Sequence, residues 1–264
     1  MNGFDWSLLA APFAAGLLVL ATHVPLGREV LKRGIIFIDL AIAQVAGLGV
    51  MLAQILGWSH SETGTDPATQ ITAAVAACAG AMLLTWSGKR WPEIQEALIG
   101  LLFVFAASAG ILLLAHNPHG GEHLKDMLAG QILWVTWPQL ALPAVIYAAI
   151  LVFWFLLRQR FGDGGFYLLF ALTVTFSVQL VGVFLVFTSL IAPAIASRGR
   201  EGWQGLRFAY FIGALGYGLG LAASAWWDLP SGAAIACVLC VLAGVGLKFR
   251  QARPGMARDT AALQ

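Results

Sequence analysis

Residues 166–197 read FYLLFALTVTFSVQLVGVFLVFTSLIAPAIAS, a run without a charged side chain. A continuous helix of this length would extend roughly 48 Å, whereas the hydrocarbon core of a bilayer is about 30 Å thick. The run is therefore too long for one straight crossing and too short for two full ones. Bent backbone at membrane depth is tolerated only where protein or a water-filled cavity satisfies its polar groups. We expect bends near Gln179, Gly182, Ser189 and Pro193, and we expect these residues to line a passage.

The composition of the whole chain is that of a polytopic membrane protein. Of 264 residues, 59% are hydrophobic and 11% are charged, and the mean hydropathy is +0.82. Most of the chain must therefore lie in lipid. We predict one transmembrane domain over residues 1–250 and a short basic tail over 251–264. The phosphate-binding pattern GxxxxGK[ST] does not occur, so the chain cannot by itself drive transport with ATP.

Apolar windows of about 20 residues predict seven segments besides the long run. The predicted fold class is all-α, a membrane helical bundle of about eight segments and eight or nine crossings, with the run 166–197 broken or re-entrant. The seven other segments are Trp6–Ala21, Gly34–Trp58, Pro67–Trp86, Ile94–Ala115, Trp137–Leu157, Leu206–Trp227 and Gly232–Phe249.

The positions of the 15 Lys and Arg residues indicate how the run crosses. If it crosses once, they divide 7 against 8 between the two sides of the membrane. If it crosses and returns, Lys125 alone lies on one side and all the others lie on the opposite side, as the positive-inside rule predicts. We therefore expect two short helices that meet near Gln179–Gly182. The amino terminus should face outward and the carboxyl terminus the cytoplasm.

Asp39 is an acidic residue inside the predicted span Gly34–Trp58. Ionisable residues in membrane spans mark functional sites by default, although Asp39 could instead reach back to Lys32, Arg33 or the interface. Gln44 lies deeper in the same span. Five residues at about 100° each place it on a different face from Asp39, so the two should not form one site.

The predicted outer loop contains His119, Glu122 and His123 in the order HxxEH. Imidazole and carboxylate are ligands of zinc and manganese, and this order also marks one class of zinc peptidase. The Gly-Gly pair at 120–121 favours a turn over the single helix face that the peptidase needs. Two interpretations stay open, a solvated surface loop and a loop that holds a divalent cation briefly.

Small residues recur at helical spacing in several segments: Ala43 and Gly47, Ala106 and Gly110, Gly216 and Gly220. Such pairs let helix backbones approach closely. Packing within the bundle is the simpler interpretation, and a dimer interface is the alternative.

Five blocks resemble the membrane permease of metal-type ATP-binding-cassette importers, which take up zinc, manganese or iron in bacteria. The resemblance implies a homodimer in the bacterial inner membrane, a separate cytoplasmic ATPase subunit and an extracytoplasmic metal-binding protein. It also implies a divalent metal ion as substrate and no permanently bound cofactor. The blocks are Gly34–Leu52, Glu96–Leu113, Glu122–Leu140, Ala171–Ser197 and Asp228–Leu242.

The chain departs from that family at two places. The family usually carries an Asp and a His four residues apart in the second span, where this chain has Leu40 and Gln44, with Asp39 displaced by one residue. The family also has an acidic, Ala-rich cytoplasmic segment that docks on the ATPase. Here only Arg158–Gly165 stands at that position.

The predicted function is therefore a permease subunit of an importer, without enzymatic activity of its own. Asp39, Gln44 and the bend region of the run would line the pathway. The alternative is a membrane protein of permease ancestry that no longer pumps and acts as a scaffold or partner subunit. Coupling to the ATPase would fall to the next cytoplasmic turn, with Arg198, Arg200 and Glu201.

Overall fold

The computed structural model describes residues 6–58, 66–115, 128, 130, 132–157 and 162–251. In these ranges the chain is helical and contains no strand, which confirms the predicted all-α class. Three short 3-10 turns, at Trp6–Leu9, Pro92–Ile94 and Ile132–Trp134, accompany the α-helices. The α-helices are α1 Ala10–Arg33, α2 Ile38–Ile55, α3 Pro67–Arg90, α4 Gln95–Leu114, α5 Trp137–Leu157, α6 Gly162–Val181, α7 Val183–Ala196, α8 Gly202–Trp227 and α9 Ser231–Gln251.

Seven of these helices, α1 to α6 and α8, are long and apolar enough to cross a membrane. Val183–Ala196 and Ser231–Leu247 are shorter apolar helices. The seven spans and the two shorter helices agree with the predicted bundle of about eight segments, in which the run 166–197 is broken into two helices. The predicted tail falls almost wholly on residues 252–264, outside the described part of the chain.

The first helix differs from its predicted bounds. The apolar window ended at Ala21, but α1 continues to Arg33 and includes Pro25. Thr22 and His23 lower the hydropathy of this part of the sequence, yet both are fully buried against other helices. The prediction was wrong because a window average measures contact with lipid, and these two side chains contact protein instead.

The long run is broken at one residue. Gly182 has φ 81° and ψ 163°, a conformation essentially restricted to glycine. Its N–H donates to the carbonyl of Val178 at 2.8 Å, and its own carbonyl accepts from Val186 at 3.0 Å. The backbone therefore changes direction without leaving these two groups unpaired. This confirms the bend predicted near Gln179–Gly182, whereas the helical conformation of α7 continues through Ser189 and Pro193.

Both ends of the run lie near the carboxyl-terminal part of α1. At the start of α6, the Phe166 ring lies 4.3 Å from the Arg33 guanidinium. After α7, Arg28 donates to the carbonyls of Arg200 at 3.0 Å and Gly202 at 3.3 Å. The run therefore leaves this end of the bundle, turns at Gly182 and comes back toward it. We call this end, at which α1 and α3 end and α6 and α8 begin, the basic end.

The small-residue pairs pack inside the bundle. On α8, an added Cβ at Gly216 would meet Leu239 of α9, and one at Gly220 would meet Ile235 of the same helix. At Gly110 of α4, the neighbour is Met51 of α2. These contacts confirm packing within one chain as the role of these glycines.

Candidate functional site

Asp39 lies in the first turn of α2 and is 1% exposed. Neither carboxylate oxygen has a hydrogen-bond partner in the described part of the chain. Arg33, one of the cations considered as a partner, contacts Glu29 at 3.1 Å instead. The structure therefore disagrees with the alternative in which Asp39 pairs with a nearby cation. A buried carboxyl group without a partner is costly, which makes Asp39 a candidate functional residue.

Gln44 is also buried, at 4% exposure, and the helix between it and Asp39 is regular. The two side chains are thus about 140° apart around α2. As predicted from the spacing, they do not form one site on this helix.

The polar residues of the long run lie in separate places. Gln179, near the end of α6, is exposed and accepts a hydrogen bond from Gln70 of α3. Ser189 is fully buried in α7, and its hydroxyl lies 2.8 Å from the hydroxyl of Tyr217 on α8. Pro193 is buried one turn beyond Ser189. Within one chain, the predicted pathway residues therefore contact α3 and α8 rather than one another.

A buried imidazole on α1 was missed by the sequence analysis. His23 is 0% exposed, and its Nδ1 lies 2.9 Å from the carbonyl of Val19. Its Nε2 has no hydrogen-bond partner among the described residues. The signal was present in the sequence, since a His within a span is as unusual as an Asp, but the span was ended at Ala21 before His23 was reached.

The turn between α7 and α8 exposes the residues predicted to couple to an ATPase. Arg198 and Glu201 are exposed, and Trp203 in the first turn of α8 is 73% exposed. Arg200 donates to the carbonyl of Ala196 at 3.2 Å, and its guanidinium lies 3.8 Å from the ring centre of Phe208. The turn is therefore a surface of exposed charged and aromatic side chains held by Arg200.

Arg28 fixes this turn to α1. Both of its terminal nitrogens donate to turn carbonyls, and an added Cβ at Gly205 would meet the carbonyl of Arg200 and the Arg28 guanidinium. α1 also packs closely on α7 at Gly27 and Leu190, so the same helix contacts both the turn and the broken run.

His119, Glu122 and His123 lie outside the described residues, as do Arg158 and Arg160. In the part of the chain that the structure describes, no three His, Cys, Asp or Glu side chains are grouped so that they could hold a metal ion. Asp39 on α2 and His23 on α1 therefore belong to no group of three such side chains among the described residues.

The model of the ABC 3 transport family matches residues 5–163 and 160–249. An uncharacterized membrane protein of Synechocystis sp. is 26% identical over 95% of this chain and 94% of its own length. A probable metal transport system membrane protein of Thermotoga maritima is 23% identical over 93% of this chain and 91% of its own length.

The solved structure of PsaBC from Streptococcus pneumoniae in complex with Fab has a similar fold. The TM-score is 0.74, with 20% identity and 92% of both chains covered. At this identity the likeness concerns the fold alone, and the family match rests on the sequence. The chain belongs to the ABC 3 transport family, the multi-pass membrane permeases of metal-type ATP-binding-cassette transporters.

Proposed function

We propose that this chain is the permease subunit of an ATP-driven importer for a divalent metal ion such as zinc or manganese. The observation that carries the proposal is the buried, unpartnered carboxylate of Asp39 within a fold of metal-type permeases. A divalent cation bound by the Asp39 carboxylate would be the partner that these oxygens lack. Gln44 and the polar residues of the broken run would provide further oxygen ligands of weaker affinity.

The pathway would form between two copies of the chain. The described residues of one copy do not bring Asp39, Gln44, Gln179 and Ser189 to one place, whereas a second copy would double the number of polar groups along a shared axis. The cation would arrive from an extracytoplasmic binding protein, and the outer loop with His119, Glu122 and His123 would be its first contact.

Energy would enter at the turn Arg198–Glu201. The basic end would face the cytoplasm of a bacterial cell, because Arg28, Arg33, Lys89, Arg90 and Arg200 all belong to it and positive charge favours that side. An ATPase subunit would dock on the exposed side chains of the turn. Arg28 would transmit its movement to α1 and to α7.

The test of transport is uptake of radioactive zinc or manganese in cells that carry the chain together with an ATPase subunit and a metal-binding protein of its own organism. We expect ATP-dependent uptake that falls in Asp39→Ala and when Glu201–Gly205 is replaced by a Gly-Ser segment of equal length. Uptake at the background level by the native complex would favour the alternative, a permease-like scaffold that no longer pumps. Both departures in the sequence favour that alternative.

The orientation has a separate test by cysteine labelling. Cys78, Cys237 and Cys240 would first be replaced, since the last two are exposed. A membrane-impermeant thiol reagent should then label Arg198→Cys only after the cytoplasmic side is opened. Trp58→Cys, exposed at the opposite end of the bundle, should be labelled in intact spheroplasts. The reverse pattern would overturn the proposed orientation.

A further inference from the structure

The Nε2 of His23 presents a lone pair inside the bundle to which no group in the described chain donates a hydrogen bond. Its Nδ1 lies 2.9 Å from the carbonyl oxygen of Val19 and 3.2 Å from the hydroxyl oxygen of Thr22. Because a carbonyl oxygen only accepts hydrogen bonds, Nδ1 carries the hydrogen, and Nε2 of the neutral ring carries a lone pair. That nitrogen is fully buried and has no partner among the described residues.

This arrangement is the one that metal-binding histidines use. Such a histidine donates one ring N–H to a backbone carbonyl or a carboxylate, which fixes the ring and leaves the other nitrogen for the metal. A lone pair that is buried without a donor is costly. A structural histidine in an apolar helix would be expected to use both nitrogens or to be replaced by an apolar residue.

The face of α1 that carries His23 packs on α7 and α8. Gly16, Leu20, His23 and Gly27 fall within about 60° of one another around the helix. An added Cβ at Gly16 would meet the ring of Tyr217 on α8, and one at Gly27 would meet the carbonyl of Leu190 on α7. His23 lies between these two contacts along the same face and is therefore directed toward the seam between α7 and α8.

A pair of hydroxyls lies at the same seam. Ser189, the residue before Leu190, and Tyr217, the residue over Gly16, are hydrogen-bonded to each other at 2.8 Å, and both are fully buried. Each hydroxyl oxygen has a lone pair besides the hydrogen bond that joins them. One imidazole nitrogen and two hydroxyl oxygens are thus borne by three helices that pack together along the stretch of α1 between Gly16 and Gly27.

We propose that His23 is a ligand of the transported divalent cation, with Ser189 and Tyr217 as neutral oxygen partners. The inference rests on the proposed function and adds a second cation-binding position along the pathway, besides that of Asp39. Imidazole suits zinc and other late first-row ions better than magnesium or calcium. A set of neutral ligands would bind weakly enough to release the cation, as a transport pathway requires.

The experiment uses the full chain in nanodiscs with only one histidine. His60, His116, His119 and His123 are the other four, and all lie outside the described residues, so they would be replaced by Gln together. Binding of Co²⁺, Zn²⁺ and Mg²⁺ would be measured by equilibrium dialysis. The visible absorption of Co²⁺ and the coupling between cadmium-113 and nitrogen-15-labelled imidazole would report a bond to Nε2.

We expect the single-histidine chain to bind Co²⁺ and Zn²⁺ and to show the cadmium coupling at Nε2. His23→Asn should weaken zinc binding at least tenfold, because the Asn amide can still donate to Val19 but provides no imidazole nitrogen. Thr175→Val on α6 is the matched control, because Thr175 is equally buried and its hydroxyl bonds within its own helix. This variant should bind as the parent does. Magnesium binding should be weak in all of these chains.

Absence of the coupling in the single-histidine chain would overturn the inference, even if His23→Asn failed to fold. Equal zinc binding in parent and His23→Asn would overturn it as well. If the native complex takes up metal while these results are negative, the inference fails and the proposed function stands. If the native complex takes up no metal, the proposed function fails, and binding at Nε2 would still be decided by the coupling.

Discussion

Buried polar groups on α6 and those on α1 and α2 differ in how they are satisfied. On α6, Thr173 donates to Leu169, Thr175 to Ala171 and Ser177 to Thr173, each at 2.8 Å and each within its own helix. On α1 and α2, the Nε2 of His23 and both oxygens of Asp39 have no partner in the described chain. The first set is compatible with any membrane helix. The second set leaves buried polar atoms that a cation or water from outside the described residues would satisfy.

The difference between the two sets of buried polar groups is tested most directly at Asp39. Asp39→Asn keeps the shape of the side chain and removes its charge. We expect metal uptake to fall at least tenfold, equivalent to about 1.4 kcal/mol, because the carboxylate would no longer bind the cation. The thermal unfolding midpoint of the purified chain should not fall, since an unpartnered buried carboxyl group contributes no stability to the fold.

Thr175→Val on α6 is the control for Asp39→Asn. Thr175 is also fully buried, and its hydroxyl bonds only within its own helix. We expect its uptake to equal that of the native chain. Equal losses in both variants would mean that any polar change in the interior disturbs transport, and the distinction between the two sets would disappear.

The second prediction concerns the joint between α6 and α7. Gly182→Ala places a side chain at φ 81° and ψ 163°, which costs of order 1–3 kcal/mol. In addition, Gly130 packs against the backbone of Val181 and Gly182, so the joint has little room to relax. We expect a lower unfolding midpoint and reduced uptake.

The matched control for the joint is Gly100→Ala on α4, where an added Cβ meets nothing within 4 Å. Alanine is a better helix former than glycine by about 0.5–1 kcal/mol, so this variant should be as stable as the native chain or more stable. A native midpoint for Gly182→Ala would show that the break is not fixed by this residue.

The third prediction concerns the turn carbonyls that accept hydrogen bonds from Arg28 of α1. Arg28→Ala removes the donors to Arg200 and Gly202 in the turn before α8. One of these bonds is exposed, so we expect a loss of only about 1 kcal/mol in stability. The larger effect should be on coupling, measured as ATP hydrolysed per metal ion transported, which should rise several-fold.

Arg28→Lys serves as the comparison for this variant, since it keeps one donor and the charge. Its coupling should lie between the native value and that of Arg28→Ala. If Arg28→Ala transports with native coupling, the turn is held by other contacts, such as that of Arg200 with Phe208.

The sequence predicted those features of the architecture that depend on a property summed over many residues, such as hydropathy or positive charge. Hydropathy predicted most of the helices, and the positions of Lys and Arg predicted that the run 166–197 turns back, with the joint found at Gly182. The end of α1 was predicted wrongly because hydropathy does not distinguish lipid from protein surroundings. Thr22 and His23 face protein, and only the packing of α1 on α7 and α8 shows this.

The candidate site was predictable only in part. Asp39 was found because an acidic residue in a span is rare, and its separation from Gln44 followed from helical geometry. That its oxygens have no partner depends on where Arg33 and Glu29 lie, which the sequence does not determine. The pairing of Ser189 with Tyr217 joins residues 28 positions apart and could not be read from spacing.

The last prediction concerns the buried hydroxyls of α6, which already have hydrogen-bond partners. Ser177→Ala removes a hydroxyl that donates to Thr173 and also contacts the hydroxyl of Tyr147 on α5. Hydrogen bonds between membrane helices contribute about 0.6 kcal/mol on average, so the unfolding midpoint should fall slightly and uptake should be unchanged.

Ser189→Ala removes the equivalent contact with Tyr217 at the seam between α7 and α8. We expect a similar small loss of stability but reduced zinc uptake, because this hydroxyl belongs to the cation site proposed around His23. Equal uptake in the two variants would mean that the hydroxyl pairs of α6 and α7 both serve packing alone.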